Sequence, residues 1–194
     1  VKHLLWDNRA EWALSVYDIT RRNVYVQLTN AVATLAGEVD TRGVELAAAV
    51  RPFDGWKFWG NVALNHTRYD DFDVFTGNTP SNVAPLIVNA GVSHRWNHWR
   101  WPVEVGASVR HVGRRFVFED DATAMEPFTT ADLYAFIDIP GRDFGAPTID
   151  NARLAFRVRN VTDTVYAAFS DPGYQDQIYL GAPRTYEISS SFRW

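Results

Sequence analysis

Residues 103–110 read Val-Glu-Val-Gly-Ala-Ser-Val-Arg, so every second side chain is apolar or small. Successive side chains of a β-strand point to opposite faces of a sheet, and this period of two predicts a strand with one apolar and one polar face. The same alternation runs through residues 42–50, 151–160 and 185–194. The sequence therefore predicts an all-β fold built from antiparallel strands.

Eight strands follow from this pattern. They are predicted at residues 9–29, 32–52, 55–70, 84–97, 100–118, 127–139, 150–162 and 182–194. Strands of soluble proteins have about five or six residues, whereas a strand needs about 9–11 residues to cross a membrane. The predicted lengths therefore favour a transmembrane β-barrel over a soluble sheet with one solvated face. We expect residues 22–29 to lie above the membrane.

The connections alternate in length, which is typical of outer-membrane barrels. Short connections are predicted at residues 52–55, 97–99 and 140–147, and long polar ones at 71–83, 119–126 and 163–181. Short turns of such barrels face the periplasm and long loops face the exterior. The chain is thus expected to start in the periplasm, cross eight times and end in the periplasm.

Tryptophan is concentrated beside the short turns. The sequence has eight Trp, and six of them lie beside a short turn or at the end of the chain: Trp56, Trp59, Trp96, Trp99, Trp101 and Trp194. Trp and Tyr collect at membrane–water interfaces because their rings are apolar and their N–H or O–H groups are polar. We therefore predict an aromatic girdle at the periplasmic rim.

The second face of the strands is rich in charge. It carries Glu45, Lys57, Arg95, Glu104, Arg110, Asp132, Asp138, Arg153, Arg157, Arg159, Glu187 and Arg193. Unpaired charges are costly to bury, so this face predicts a lumen that holds water or a domain supplying counter-charges. An eight-stranded barrel leaves an interior just wide enough for side chains, which does not suit so many charges.

Composition excludes several classes of site. The net charge of −4 gives no electrostatic footprint for nucleic acid. The absence of Cys excludes disulfides and thiolate metal sites. No apolar stretch is long enough for a transmembrane helix. The five His residues lack the paired spacing of a metal site; they are His3, His66, His94, His98 and His111.

Two further arrangements were weighed as sites. Asp70, Asp71 and Asp73 offer oxygen ligands that suit calcium, but a solvated loop explains them better. His66 and Asp70 at a strand top are compatible with a hydrolase dyad, yet no set of nucleophile, base and orienting group is visible. We therefore expect no catalytic residue, no resident metal and no cofactor.

Several segments resemble parts of one known family. They are Gly37-Glu38-Val39 with Arg42-Gly43-Val44-Glu45, Asn82-Val83-Ala84-Pro85, Asn160-Val161-Thr162-Asp163 with Tyr166, Gly181-Ala182-Pro183-Arg184, and the aromatic end Phe192-Arg193-Trp194. In order and spacing they resemble the barrel of TonB-dependent outer-membrane receptors. The last residue of that family is usually Phe, so Trp194 is a departure. The resemblance extends from about residue 9 to 194.

The resemblance implies an antiparallel transmembrane barrel of 22 strands that encloses an N-terminal plug. Residues 1–194 would then be the C-terminal part, of about eight strands, with the plug and the earlier strands absent. It further implies a protein of the Gram-negative outer membrane, not an enzyme, that imports ferric siderophores. Its partners would be the siderophore complex, outer-membrane lipid and, through the missing N-terminal region, the TonB complex. The alternatives are another family ligand (cobalamin, copper, haem or a glycan) and a structural barrel that closes with eight strands.

Ligand contacts in this family lie on the extracellular loops, which gives nine candidates here. They are Phe72, Phe75, Arg114, Arg115, Phe116, Phe118, Phe169, Tyr174 and Tyr179. Arginine and aromatic rings suit siderophore complexes that are anionic and aromatic, through charge and stacking. The competing interpretation is that these rings belong to the outer girdle or stabilise the loops.

Overall fold

The computed structural model describes residues 1–28, 32–145, 148–171, 174 and 177–194. Within these residues nine strands form one antiparallel sheet in the order of the chain. They are β1 (Lys2–Leu5), β2 (Ala10–Gln27), β3 (Ala33–Val50), β4 (Trp56–Asp71), β5 (Leu86–Trp96), β6 (Val103–Val112), β9 (Phe128–Pro140), β10 (Asn151–Arg159) and β13 (Thr185–Arg193). The fold is therefore all-β and antiparallel, as the alternation predicted.

Two short hairpins interrupt this order. One consists of β7 (Arg115–Phe116) and β8 (Ala124–Met125), and the other of β11 (Ala167–Ser170) and β12 (Ile178–Leu180). Two single 3-10 turns occupy Asp73–Phe75 and Gly141–Phe144. No helix in the described residues is long and apolar enough to span a membrane.

The eight predicted strands are all present, with two differences. The strand predicted at 100–118 ends at Val112, and Arg115 and Phe116 belong to a separate hairpin. The sheet also contains β1, which the alternation missed because four residues are too few to show a period. A turn in which Trp6, Asp7 and Asn8 have positive φ joins β1 to β2. The chain was predicted to start at the end of the sheet where this turn lies. Instead, β1 leads into the turn from the opposite direction.

The connections lie at two ends of the sheet. We call the end where residues 6–9, 51–55, 97–102, 141–145 and 148–150 lie the turn end, and the end where Leu28, Val32 and residues 72–85, 113–127, 160–171 and 177–184 lie the loop end. The long loops thus share one end, as predicted.

One face of the sheet exposes large apolar side chains. Cross-strand partners lie on the same face of an antiparallel sheet, and the register joins Val16 to Val44 and Val44 to Leu64. We call this face the outer face. Its exposed apolar residues are Val16, Val44, Leu46, Leu64, Val105, Val109, Leu133, Phe156, Tyr186, Ile188 and Phe192. Such a continuous exposed apolar surface is not typical of a soluble monomer.

The opposite face, which we call the inner face, holds the charged residues that the sequence placed there. Asp138 accepts bonds from both Arg95, at 2.7 Å, and Arg153, at 2.6 Å. Nearer the loop end, Arg159 pairs with Glu187 at 2.8 Å. These ion pairs cross from strand to strand, so they hold the register of the wall while leaving the face polar.

The sheet is open. In the described part of the chain β1 pairs only with β2, and β13 only with β10, so the two edge strands do not meet. This arrangement fits part of a larger barrel and does not fit the alternative in which eight strands close on themselves.

Aromatic rings form a ladder on the outer face at the turn end. Ring centroids are separated by 5.9 Å from Phe58 to Trp56, 4.6 Å from Trp56 to His94, 4.3 Å from His94 to Trp96 and 5.9 Å from Trp96 to Trp99. The ladder agrees with the predicted girdle, with one exception. Trp59 lies on the inner face, where its indole covers Gly91 and leaves no room for a Cβ atom there.

Candidate functional site

The three long loops are joined at one point, Asn82. Its backbone adopts a positive φ of 63°, a conformation that Asn tolerates better than most residues. Its side-chain amide donates to the carbonyl of Ser170 at 2.9 Å and accepts from the Ser170 backbone N–H at 2.8 Å. The Ser170 hydroxyl, itself buried, donates to the carbonyl of Val117 at 2.8 Å. The half-buried Asn82 and the buried Ser170 thus connect loops 72–85, 113–127 and 160–184.

A buried carboxylate makes a second connection. Glu119 accepts a hydrogen bond from the Tyr69 hydroxyl at 2.7 Å and from the Ser81 backbone N–H at 3.0 Å. The Asn78 side chain donates to the Glu119 carbonyl at 2.9 Å. These bonds satisfy the carboxylate away from water and fix loop 72–85 against loop 113–127.

Arg115 is a structural cation in this arrangement. Its guanidinium donates to the carbonyls of Ala168 at 2.5 Å and Ala167 at 2.7 Å, and it lies 5.4 Å from the centre of the Phe128 ring. The side chain is 6% exposed. Burial and the nearby charge of Arg110 lower the pKa of this guanidinium. Arg115 therefore connects loops and has little surface left for a ligand.

Phe72 lies in the interior of the same assembly. Its ring is 4.6 Å from that of Tyr69 and packs with Val26 and Val39, the buried cluster at the loop end. Phe75 packs against this cluster with a ring distance of 5.4 Å to Phe72. Both rings stabilise the loop, which is the role that the competing interpretation gave them.

Two candidates lie beside a cleft. Arg114 is exposed, its guanidinium lies 5.7 Å from the centre of the Phe116 ring, and both residues line a cleft of about 160 Å³. The rest of its wall is formed by Asn65, His66, Thr67, Thr79, Val83 and Pro85. A cation, an aromatic ring and amide and hydroxyl groups therefore face one small concave surface. Phe118, two residues further along, is half-buried.

A second aromatic surface is formed by the β11–β12 hairpin. Phe169 and Tyr179 stack with centroids 4.5 Å apart and planes 11° from parallel, and both remain more than two-fifths exposed. Tyr174, in the same loop, is exposed as well. Of the nine sequence candidates, Phe72 and Arg115 are buried, Phe75, Phe116 and Phe118 are half-buried, and Arg114, Phe169, Tyr174 and Tyr179 are exposed. Ligand contact by any of them stays a prediction.

Asp70, Asp71 and Asp73 are close in the sequence but do not form one cluster in space. Asp70 lies with Glu38 and Asp40, with carboxylate oxygens within 4.8 Å of one another. The neighbours Asp71 and Asp73 are outside this group.

The family of the chain follows from a match of residues 1–161 to the model of the TonB-dependent receptor-like β-barrel. The chain belongs to this family. No curated protein sequence matches it.

Solved structures of several receptors share its fold. BauA, the ferric preacinetobactin receptor from Acinetobacter baumannii, is 18% identical with a TM-score of 0.78, over 98% of this chain and 28% of that one. FyuA, the ferric yersiniabactin uptake receptor from Yersinia pestis, is 17% identical with a TM-score of 0.74, over 94% and 27%. PiuA, a siderophore receptor from Acinetobacter baumannii, is 14% identical with a TM-score of 0.73, over 97% and 26%. The chain spans little more than a quarter of these receptors.

The structure explains why two segments typical of TonB-dependent receptors occur together. The Asn160 side chain donates to the carbonyls of Thr164, at 2.9 Å, and Ala182, at 3.1 Å. Asp163 accepts from the backbone N–H of Arg184 at 2.8 Å and from its guanidinium at 3.3 Å. Both bonds lower the pKa of the Asp163 carboxyl, and the bond from the backbone N–H has the larger effect. The two segments therefore form a clasp across the tops of β10 and β13.

Proposed function

We propose that this chain is a wall segment of an outer-membrane receptor that imports ferric siderophores with energy from TonB. The observation that carries the proposal is the open antiparallel sheet with an exposed apolar outer face and a charged inner face, in a chain of the TonB-dependent receptor family. The chain would supply the last strands of the barrel and a share of its loops.

The outer face supports a location in the membrane. Its large apolar side chains are exposed in the described chain, and the hydrocarbon layer of a membrane would cover them. The ring ladder from Phe58 to Trp99 marks the lower interface, because Trp rings favour the headgroup level. In this orientation the turn end faces the periplasm and the loop end faces the exterior.

The inner face supports a lumen that is occupied by another domain. At the turn end a cleft of about 380 Å³ is lined by four cations, Arg9, Arg51, Lys57 and Arg95, and by two carboxylates, Asp54 and Glu104, so positive charge is in excess. Cations gathered in one concave surface repel one another unless anionic groups or water lie between them. Acidic groups of an N-terminal plug, as the resemblance implies, would supply this charge inside a barrel of 22 strands.

The exposed loop residues support an anionic, aromatic ligand. Arg114 with Phe116, and Phe169 with Tyr179, present a guanidinium and stacked rings at the loop end. The three receptors of similar fold are named for ferric preacinetobactin, ferric yersiniabactin and siderophores. We therefore propose Arg114, Phe116, Phe169, Tyr174 and Tyr179 as contacts.

The test uses the complete receptor in a strain that lacks its own copy. The strain is grown under iron limitation on single ferric siderophores, with and without TonB. We expect growth on at least one siderophore, only when TonB is present. Growth on none, together with uptake of cobalamin, copper, haem or a glycan, would replace the siderophore by that ligand.

The site is tested by substitution. Loss of a charge-assisted hydrogen bond costs roughly 1.5–3 kcal/mol, so Arg114→Gln should weaken binding of the accepted siderophore at least about tenfold. Arg100→Gln removes another exposed arginine, at the turn end, and should leave binding unchanged. Equal binding by the Arg114→Gln receptor and wild type would remove Arg114 from the site.

A further inference from the structure

Two glycines lie inside adjacent strands on the inner face. They are Gly91 of β5 and Gly106 of β6. Glycine weakens the interior of a strand, and it often marks a bulge, a sharp bend or the close approach of another group. The register with the neighbouring strands is continuous through both positions, so neither glycine marks a bulge. Neither has the positive φ that favours glycine. The reason for these glycines therefore lies in what covers them.

Each glycine is covered by the aromatic ring of its register partner. Trp59 is paired with Gly91, and Tyr134 with Gly106. A Cβ atom on Gly91 would lie 2.5 Å from Cε2 of Trp59, and one on Gly106 would lie 2.7 Å from Cε2 of Tyr134. Carbon atoms in contact are normally about 3.5–4.0 Å apart. The two rings therefore lie flat on the neighbouring strands, and even a methyl group on either glycine would displace them.

The two rings reach β5 and β6 from opposite sides, because Trp59 belongs to β4 and Tyr134 to β9. The inner-face positions beneath and between them are small. We call this area the trough; it consists of Gly91, Ser93, Gly106 and Ser108. Ser93 also lines the cleft of about 380 Å³ at the turn end, so the trough opens into that cleft. This part of the wall therefore projects little into the lumen.

We propose that Gly91 and Gly106 are positioning residues for import, because they keep Trp59 and Tyr134 flat and so leave the lumen beside the trough open to the passing ligand. The inference rests on the proposed function and adds a route along the wall to it. A flat ring adds only about 3.5–4.0 Å to the wall. A ring displaced from its glycine would project into the lumen and obstruct the route.

The experiment measures binding and uptake separately in the complete receptor. The probe is the radioactive iron(III) complex of the siderophore on which the wild-type strain grows. The test variants are Gly91→Ala and Gly91→Ala/Trp59→Ala. The matched control is Gly60→Ala, because Gly60 lies on the outer face, where the atoms nearest to a Cβ would be those of Asn89 and Ala90. Heat-modifiable migration confirms that each variant is folded.

Overpacking of an interior typically corresponds to a factor of about five to a hundred in an equilibrium or a rate. Gly91→Ala should therefore slow uptake at least about fivefold, with unchanged affinity at the loop end. The double variant removes the displaced ring and should restore uptake, which a mere loss of sheet stability would not do. Gly60→Ala should import like wild type. Gly106→Ala, with and without Tyr134→Ala, repeats the same cycle on β6.

Wild-type uptake by Gly91→Ala, an equal loss in Gly60→Ala, or no recovery in the double variant would overturn the proposal. In each of these outcomes the wild-type receptor still imports the siderophore, so the proposed function survives. If the wild type imports cobalamin, copper, haem or a glycan instead, the same cycle is measured with that compound. A fivefold loss that the double variant reverses would then keep the trough as the route, although the siderophore proposal has failed.

Discussion

Replacing Asn82 by Ala should weaken the attachment of loop 160–184, which then keeps only its bonds to loop 113–127 through Arg115 and Val117. The substitution removes two hydrogen bonds to the Ser170 backbone and one shared with its hydroxyl. Ser170 is 2% exposed, so its N–H would lose its partner without gaining water. The backbone bond from Asn82 to Phe116 is unaffected, so loops 72–85 and 113–127 should stay together.

The magnitude follows from two contributions. A neutral hydrogen bond contributes about 0.5–1.5 kcal/mol, and an orphaned buried donor costs about 1–3 kcal/mol. The strain of Ala at a positive φ is present whether loop 160–184 is attached or open, so it does not favour opening. Together they favour opening of loop 160–184 by about 3 kcal/mol, which corresponds to roughly a hundredfold faster hydrogen exchange of the amides in that segment.

The assay is hydrogen exchange on the complete receptor, read by mass spectrometry of peptides that cover residues 167–171. Asn82→Gly separates the two causes, because Gly accepts the positive φ and removes only the side-chain bonds. It should retain most of the effect. Asn89→Ala is the matched control, since it deletes one exposed Asn–Asn bond of 2.9 Å on the inner face.

Unchanged exchange at residues 167–171 in Asn82→Ala would refute the reasoning. So would an increase of the same size in Asn89→Ala, since the effect would then not depend on burial.

Two further predictions concern the same end of the molecule. Arg115→Lys should weaken the attachment of β11 by about 2–3 kcal/mol, because an ammonium cannot donate to the carbonyls of Ala167 and Ala168 in the planar geometry of a guanidinium. Proteolysis within loop 160–184 should therefore accelerate. Arg114→Lys is the control and should leave the rate of proteolysis unchanged. The pKa of Asp163 is lowered by Arg184, so the clasp is fully present above the ordinary carboxyl range of about 3.9 and is lost as the pH falls through the lowered value. Exchange of the Arg184 amide should therefore rise on acidification in wild type and be pH-independent, apart from intrinsic exchange, in Asp163→Asn; the same acid dependence in both would contradict the assignment.

The strands of this chain could be predicted from the sequence because the barrel wall separates two environments. From Val103 to Arg110, successive side chains face one environment and then the other, so the alternation of apolar and polar residues predicts the strand. The four-residue strand Lys2–Leu5 was not predicted, because four residues are too few to show the alternation. Residues 113–118 were assigned to the strand although Gly-Arg-Arg-Phe-Val-Phe does not alternate, and the sheet strand ends at Val112.

The candidate site could be predicted only in outline. Arg114 and Arg115 are adjacent and chemically identical, yet one is exposed beside Phe116 and the other is buried against β11. That distinction depends on where loop 160–184 returns, some 50 residues later, and no local pattern carries it. The Asn82–Ser170 pair was not predicted for the same reason, although Asn82 belongs to one of the segments that resemble the receptor family.

The connections between the loops bear on how a ligand would be held. A ligand that must order separate loops spends part of its binding free energy on their lost conformational freedom. Here Asn82, Glu119 and Arg115 already join the three long loops before any ligand is present. The Arg114–Phe116 cleft is therefore preorganised, and substitutions that separate the loops should weaken siderophore binding without touching the ligand. Asn82→Gly tests this directly: if loop attachment contributes to the site, its siderophore affinity should fall although every proposed contact residue is intact.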